Sequence, residues 1–243
     1  MPSLPDPAAV ALLPDASQRL LRRVDSMPDQ AWPGPSLLPG WTRAHVVAHV
    51  ALNAEALAGV LRGVVGDDPT PMYASQEQRD ADIADLATAE PGEIRTRLLG
   101  ATTLFADAVA AMPPDSWEGS FERTPGGPRY RIARVLEMRL REVEIHHADL
   151  GLGYHHNDWP AEFSHHLVGA LARRVEVPLR LRATDAGATW ETGRGSAESA
   201  PDTTPAPPTV SGPVADLAWW LTGRGEGAGL TIDSGSLPRI GAL

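Results

Sequence analysis

The chain has 243 residues, 31 acidic against 21 basic side chains, and no cysteine. Its formal charge of -10 disfavours broad attraction to nucleic acid or an anionic membrane, and short pairs such as Arg22-Arg23 and Arg173-Arg174 do not reverse that balance. The missing thiols exclude disulfides, thiolate metal ligands and a cysteine nucleophile, so any sulfur chemistry must use a thiol brought from outside.

In chain order, a helix is predicted over residues 7–27, followed by a loop through Pro39. Thr42 then reads as the N-cap of a long helix reaching Val65, whose Ala48, Ala51, Ala54, Ala56, Ala58 and Gly59 permit close approach of a neighbouring helix. A third helix is expected over 91–112 and a fourth over 130–150, stopped by Gly151-Leu152-Gly153. Residues 158–175 read as one more. The pattern then shortens: 177–182, 188–192 and 209–211 read as strands, 213–222 as an apolar helix, and 230–233 as a last strand. Residues 201–213 are linker-like. The expected fold class is α+β, with a helical bundle over 1–175 and a small α/β domain over 176–243. Lacking both a long uninterrupted apolar run and a basic start leading into one, the chain is expected to be cytoplasmic. No motif specifies an oligomeric state.

One predicted helix carries chemistry. Ile132, Val135, Arg139, Glu142, His146 and Asp149 recur every three or four residues, so a face that begins apolar ends in ionisable groups. Glu142 and His146, one turn apart, can turn a carboxylate oxygen and an imidazole nitrogen toward one point. His147 points elsewhere. A third ligand is available in the earlier helix, where His45 and His49 share a stripe; His49 is preferred because it lies more than a turn inside, among Val, Ala and Leu. Two imidazoles and one carboxylate would leave a fourth zinc position open, the composition of a catalytic site.

The segments Gly40-Trp41-Thr42-Arg43-Ala44-His45-Val46-Val47-Ala48-His49-Val50, Thr70-Pro71-Met72-Tyr73, Arg141-Glu142-Val143-Glu144-Ile145-His146-His147-Ala148-Asp149-Leu150 and Gly223-Arg224-Gly225 together resemble the mycothiol-dependent maleylpyruvate isomerases. These are members of the DinB-like metal-binding superfamily. The resemblance covers nearly the whole chain and implies a DinB-like helical bundle followed by a small α/β domain. It implies a divalent metal, normally zinc, on His49, Glu142 and His146, with mycothiol as the second cofactor. It also assigns functional roles to Asp149 and Arg224. Asp149 can orient a ligand imidazole, bind a nearby cation, or hydrogen-bond amides at its helix end. Arg224 can take an anion of substrate or mycothiol through two parallel hydrogen bonds.

The implied reaction is cis-trans isomerisation of maleylpyruvate to fumarylpyruvate. Rotation about the double bond requires that it become transiently single, which reversible thiolate addition achieves while the 2-oxo group accepts the enolate charge. Mycothiol would supply the sulfur, activated at the metal. The alternatives are a mycothiol S-transferase acting on another electrophile, or a non-catalytic metal-dependent binding protein. Expected partners are small molecules, not nucleic acid or membrane. Trp41 is a candidate for the site rim, and Trp219 and Trp220 for domain packing. The Gly223, Gly225, Gly227 and Gly229 series reads as loop flexibility, since it lacks the sequence of a phosphate loop.

Overall fold

The computed structural model describes residues 4–193 and 206–241. The chain divides into two compact units, Met1–His155 and His156–Leu243.

The first unit is a helical bundle. Helix α1, Pro7–Asp25, begins with Asp6 accepting from the Ala8 N–H at 2.9 Å and buries the periodic face Ala9, Leu13, Ala16, Leu20 and Val24. Helix α2, Arg43–Val65, starts in a reciprocal cap: the Thr42 side chain accepts from the His45 N–H while the His45 ring accepts from the Thr42 N–H. It is followed by α3, Gln76–Leu86, capped by Ser75, and α4, Pro91–Ala110, with Pro91 at its first position. A hairpin of β1, Ser120–Glu122, and β2, Arg129–Arg131, precedes α5, Val135–Asp149.

Helix α2 is the axis of this unit, packing against α3, α4 and α5, while α1 packs against α5 and α4. Its best 18-residue window has a mean hydropathy of 1.4, long and apolar enough to cross a membrane by length and composition, yet 72% of that window is buried within the protein. Apolarity on every side is what a central helix requires. His49 and Asn53 are the buried polar interruptions.

The second unit contains α6, Ala161–Ala172, strands β3, Arg180–Ala183, and β4, Thr189–Glu191, then β5, Thr209–Gly212, α7, Val214–Leu221, and β6, Thr231–Ile232. The strand order is β4-β3-β5-β6. Strands β3 and β5 run parallel, with the fully buried Leu181 and Val210 opposite one another, while β4 and β6 pair antiparallel at the edges. Helix α7 lies against β3, β5 and α6.

Three local expectations are revised and one helix is added. The fourth helix begins at Val135 rather than near Tyr130, because Thr124-Pro125-Gly126-Gly127-Pro128 makes a turn, with Gly126 at φ 69°, that pairs residues 129–131 with 120–122. Helix α3 had no expectation at all, since Ile83 and Leu86 alone are buried on it and its remaining surface is polar. The helix expected over 158–175 falls in the second unit, where α6 packs against α7, so the units part at His155/His156 rather than at 175. Of the linker-like stretch, 201–205 lie outside the described residues and Thr209–Gly212 is a strand.

Candidate functional site

Arg139, Glu142, His146 and Asp149 rise along one face of α5, as their spacing predicts. Arg139 is only 1% exposed, and its Nη1 donates to the Val50 carbonyl at 2.7 Å and to Asn53 Oδ1 at 3.0 Å. Those acceptors belong to the turn of α2 that carries His49, so the guanidinium fixes the register of the two helices. Arg43 adds a second tie from the start of α2, donating to the Leu150 carbonyl just beyond α5 at 2.9 Å. Burial lowers the Arg139 pKa to about 10, against the pull of Glu142 and Tyr73, which leaves it cationic at neutral pH.

With the helices so held, His49 Nε2 lies 2.8 Å from Glu142 Oε2, and the same oxygen lies 3.2 Å from His146 Nε2. One ligand-type atom from each residue falls within 4.8 Å of the others. The imidazoles meet edge to face, 4.6 Å apart at 90°. Burial pushes His49 down to about 4 against the opposing pull of Glu142, so it is a neutral imidazole at pH 7. Burial alone would raise Glu142, yet the two imidazoles beside it hold it well below the usual carboxylate range. Burial would lower His146, but hydrogen bonds with Asp149 and Glu142 leave it raised.

This donor set, two imidazoles and a carboxylate around one point, fits a divalent cation of the zinc type. The fit extends outward: fully buried Asp149 accepts from His146 Nδ1 at 2.8 Å, which turns Nε2 toward the other two donors. One contact opposes it. Arg79 Nη2 is 3.1 Å from His49 Nδ1, and a guanidinium can only donate, so His49 here carries its hydrogen on Nε2 and donates to Glu142. Binding a cation through Nε2 requires that hydrogen on Nδ1 and Arg79 turned away.

Arg79, Tyr73 and Asn53 are the surroundings that sequence reading missed. Tyr73 is held by the edge of the hairpin, where the Met72 and Tyr73 N–H groups donate to the Glu122 and Arg123 carbonyls, both at 2.9 Å. Two guanidinium groups lie over its ring, Arg79 at 5.6 Å and Arg123 at 5.4 Å from the centroid. Burial and the nearby Glu142 raise its pKa, while Arg79 and Asn53 oppose that rise. Tyr73 and Arg79 also line a cleft of about 570 Å³ with Leu52, Met72 and Gln78, a volume suited to a small ligand. Tyr73 stood within a segment already singled out. Arg79 sits on the polar helix whose burial signal was too weak to see.

The remaining predicted residues are placed as follows. His45 serves the α2 cap, and His147 is buried against Tyr154, ring centroids 3.9 Å apart, away from the three donors. Trp41 stands edge-on to His49 at 5.6 Å. Trp220 is buried. Arg224 belongs to the second unit, lies between Gly223 at φ 77° and Gly225 at φ 71°, and has its Cζ 5.9 Å from the Trp219 ring centre.

Residues 13–151 match the family described as Mycothiol maleylpyruvate isomerase N-terminal domain. Two crystal structures are similar to the whole chain: one of a mycothiol-dependent maleylpyruvate isomerase and one of a histidine-to-alanine mutant of it. Each aligns with a TM-score of 0.85 and 26% identity, over 97% of this chain and 96% of the other. A search of curated proteins found no match.

Proposed function

Because the chain belongs to the mycothiol maleylpyruvate isomerase family through residues 13–151, we propose that it catalyses mycothiol-dependent isomerisation of maleylpyruvate to fumarylpyruvate. The observation that carries this reading is the convergence of His49, Glu142 and His146 within 4.8 Å in a member of that family. These three residues would hold zinc, and Asp149 would orient His146. A divalent cation there supplies a Lewis acid that lowers the pKa of a bound thiol. The sulfur whose reversible addition would make the double bond transiently single would come from mycothiol, because this cysteine-free chain has no thiol of its own.

The protein's own part is positioning and charge. Arg139 keeps His49 opposite α5, and Glu142 remains a carboxylate between two imidazoles, so two imidazoles and one anion face the same point. Arg224 takes an anionic group of substrate or mycothiol through its paired donors. An excess of acidic side chains, 31 against 21, suits a cytoplasmic enzyme of small molecules better than a nucleic-acid or membrane partner.

Elemental analysis and turnover assays test this reading. The purified protein is expected to carry about one zinc per chain, lost in His49→Ala, Glu142→Ala and His146→Ala but retained in His45→Ala and His147→Ala. Maleylpyruvate should be isomerised only when mycothiol is supplied, with no thiol consumed over many turnovers. Thiol loss equal to product formed would turn the reading to an S-transferase, and turnover without thiol would overturn it.

A further inference from the structure

Tyr73 lies near enough to Glu142 to feel its charge, yet the proposed reaction gives it no task, and its hydrogen bonds can be counted. Asn53 and Arg79 both bond to it through their side chains. A guanidinium has donors only, so Arg79 gives a hydrogen to the Tyr73 oxygen and takes none. The Asn53 oxygen already accepts from Arg139 at 3.0 Å, which leaves the NH2 group of that amide for Tyr73. With both lone pairs of the phenol filled, its own hydrogen remains to be given.

The space into which it can be given is the cleft of about 570 Å³ that Tyr73 and Arg79 line. Arg79 spends Nη1 on Asp80 at 2.7 Å and Nη2 on His49, but its Nε is buried without a hydrogen-bond partner among the described residues. Two neighbouring side chains, a neutral phenol and a cation, thus each keep one unspent hydrogen, and a carboxylate has two oxygens to take them up. The rest of the cleft repels an anion. Asp85 and Glu93 line it, as do Glu55, which pairs with Arg97 at 2.7 Å, and Asp82, which accepts from Gln78 at 2.7 Å. The main-chain bonds of Met72 and Tyr73 to the hairpin, and the guanidinium groups of Arg79 and Arg123 over the ring, hold the phenol in place before any ligand arrives. We propose that Tyr73 donates its hydroxyl hydrogen to a carboxylate of the acid substrate, with the Arg79 Nε–H as second donor, and so fixes the substrate beside His49, Glu142 and His146. The inference rests on reading that centre as the isomerase site of an unsaturated diacid.

The test titrates the full-length protein with maleate, a dicarboxylate, in the absence of mycothiol, so that binding is read without turnover. Maleate should produce a tyrosine difference band in the ultraviolet, the mark of a phenol gaining an acceptor; Tyr73→Phe should abolish it and Tyr130→Phe should keep it. By calorimetry, maleate affinity should be about 10-fold weaker in Tyr73→Phe, the scale of a hydrogen bond to a charged group, with zinc content unchanged. In turnover with mycothiol, the same variant should raise KM for maleylpyruvate about 10-fold and leave kcat within about threefold, as expected of a contact made equally before and during reaction. The wild-type band depends on no variant, so its absence alone would overturn the proposal. Wild-type affinity in Tyr73→Phe would overturn it too, and so would loss of zinc from that variant, which would assign the hydrogen to Glu142. The expected band and affinity loss in a protein that does not isomerise maleylpyruvate with mycothiol would uphold the carboxylate subsite and reject the isomerase reading alone.

Discussion

His49 is the residue on which opposing demands meet. Its Nε2 faces Glu142 and the other donors, while Arg79 presents a donor to Nδ1, so a metal and Arg79 compete for the tautomer of one ring. Arg79→Met should therefore tighten zinc binding several-fold by removing both a nearby cation and the wrong hydrogen-bond partner, as measured by competition with a chelator. Asp149→Asn should do the reverse, weakening zinc about 10- to 100-fold, because the buried acceptor that turns His146 is lost. If Arg79→Met weakens zinc instead, the guanidinium orients the ligand and the tautomer argument fails. Glu142, His146 and Asp149 were legible in the sequence because helical spacing alone aligns them with Arg139, and His49 because it lies more than a turn inside an apolar helix. Arg79 and Tyr73 were not, because their approach depends on a hairpin edge and a polar helix brought together across the chain.

At the level of elements, α5 carries different chemistry on its two sides. Opposite the donors, Glu144 is fully buried and accepts from Arg19 of α1 at 2.6 Å and from the Tyr154 hydroxyl at 2.5 Å. This clamp holds α1 to α5. Burial, with Glu144 adding to it, raises the Tyr154 pKa above the ordinary tyrosine value of about 10. The folded state therefore keeps a proton that the unfolded chain releases; the corresponding stability is complete below about pH 10 and is lost as pH rises through the raised folded value. Tyr154→Phe should destabilise the protein by about 1–3 kcal/mol at pH 8 by leaving a buried carboxylate short of a donor, and should reduce the alkaline decline. Urea denaturation at pH 8 and above pH 10 measures both; an equally steep decline in Tyr154→Phe would assign it to another group. Long helices with a cap and an apolar stripe, such as α1 and α2, were readable from Asp6-Pro7 and Thr42. The hairpin was not, because Arg129, Tyr130 and Arg131 can extend a helical pattern as well as pair with a strand, and the decision rests with the turn before them.

For the molecule as a whole, the absence of cysteine gives a direct test of where the sulfur comes from. Treatment with iodoacetamide, followed by its removal, should leave mycothiol-supported isomerisation unchanged, whereas alkylating the mycothiol should abolish it; inactivation that follows treatment of the protein alone would implicate a group other than an external thiol. A different consequence follows from the positions of the donors along the chain. Glu142 and His146 come together as soon as one turn of α5 forms, but His49 lies 93 residues before Glu142, and the Arg139 bond to Val50 spans 89. The third donor therefore arrives only when one of the long loops of the bundle has closed, a step whose entropic penalty grows as about (3/2)RT ln n with loop length. A partly folded chain offers a cation two donors from a single helix, while the native chain offers three. A metal bound by these three residues would act as a staple across that closure, its binding energy adding to the stability of the native pairing of α2 with α5. A cation held by all three donors would thus mark a molecule in which that loop has closed.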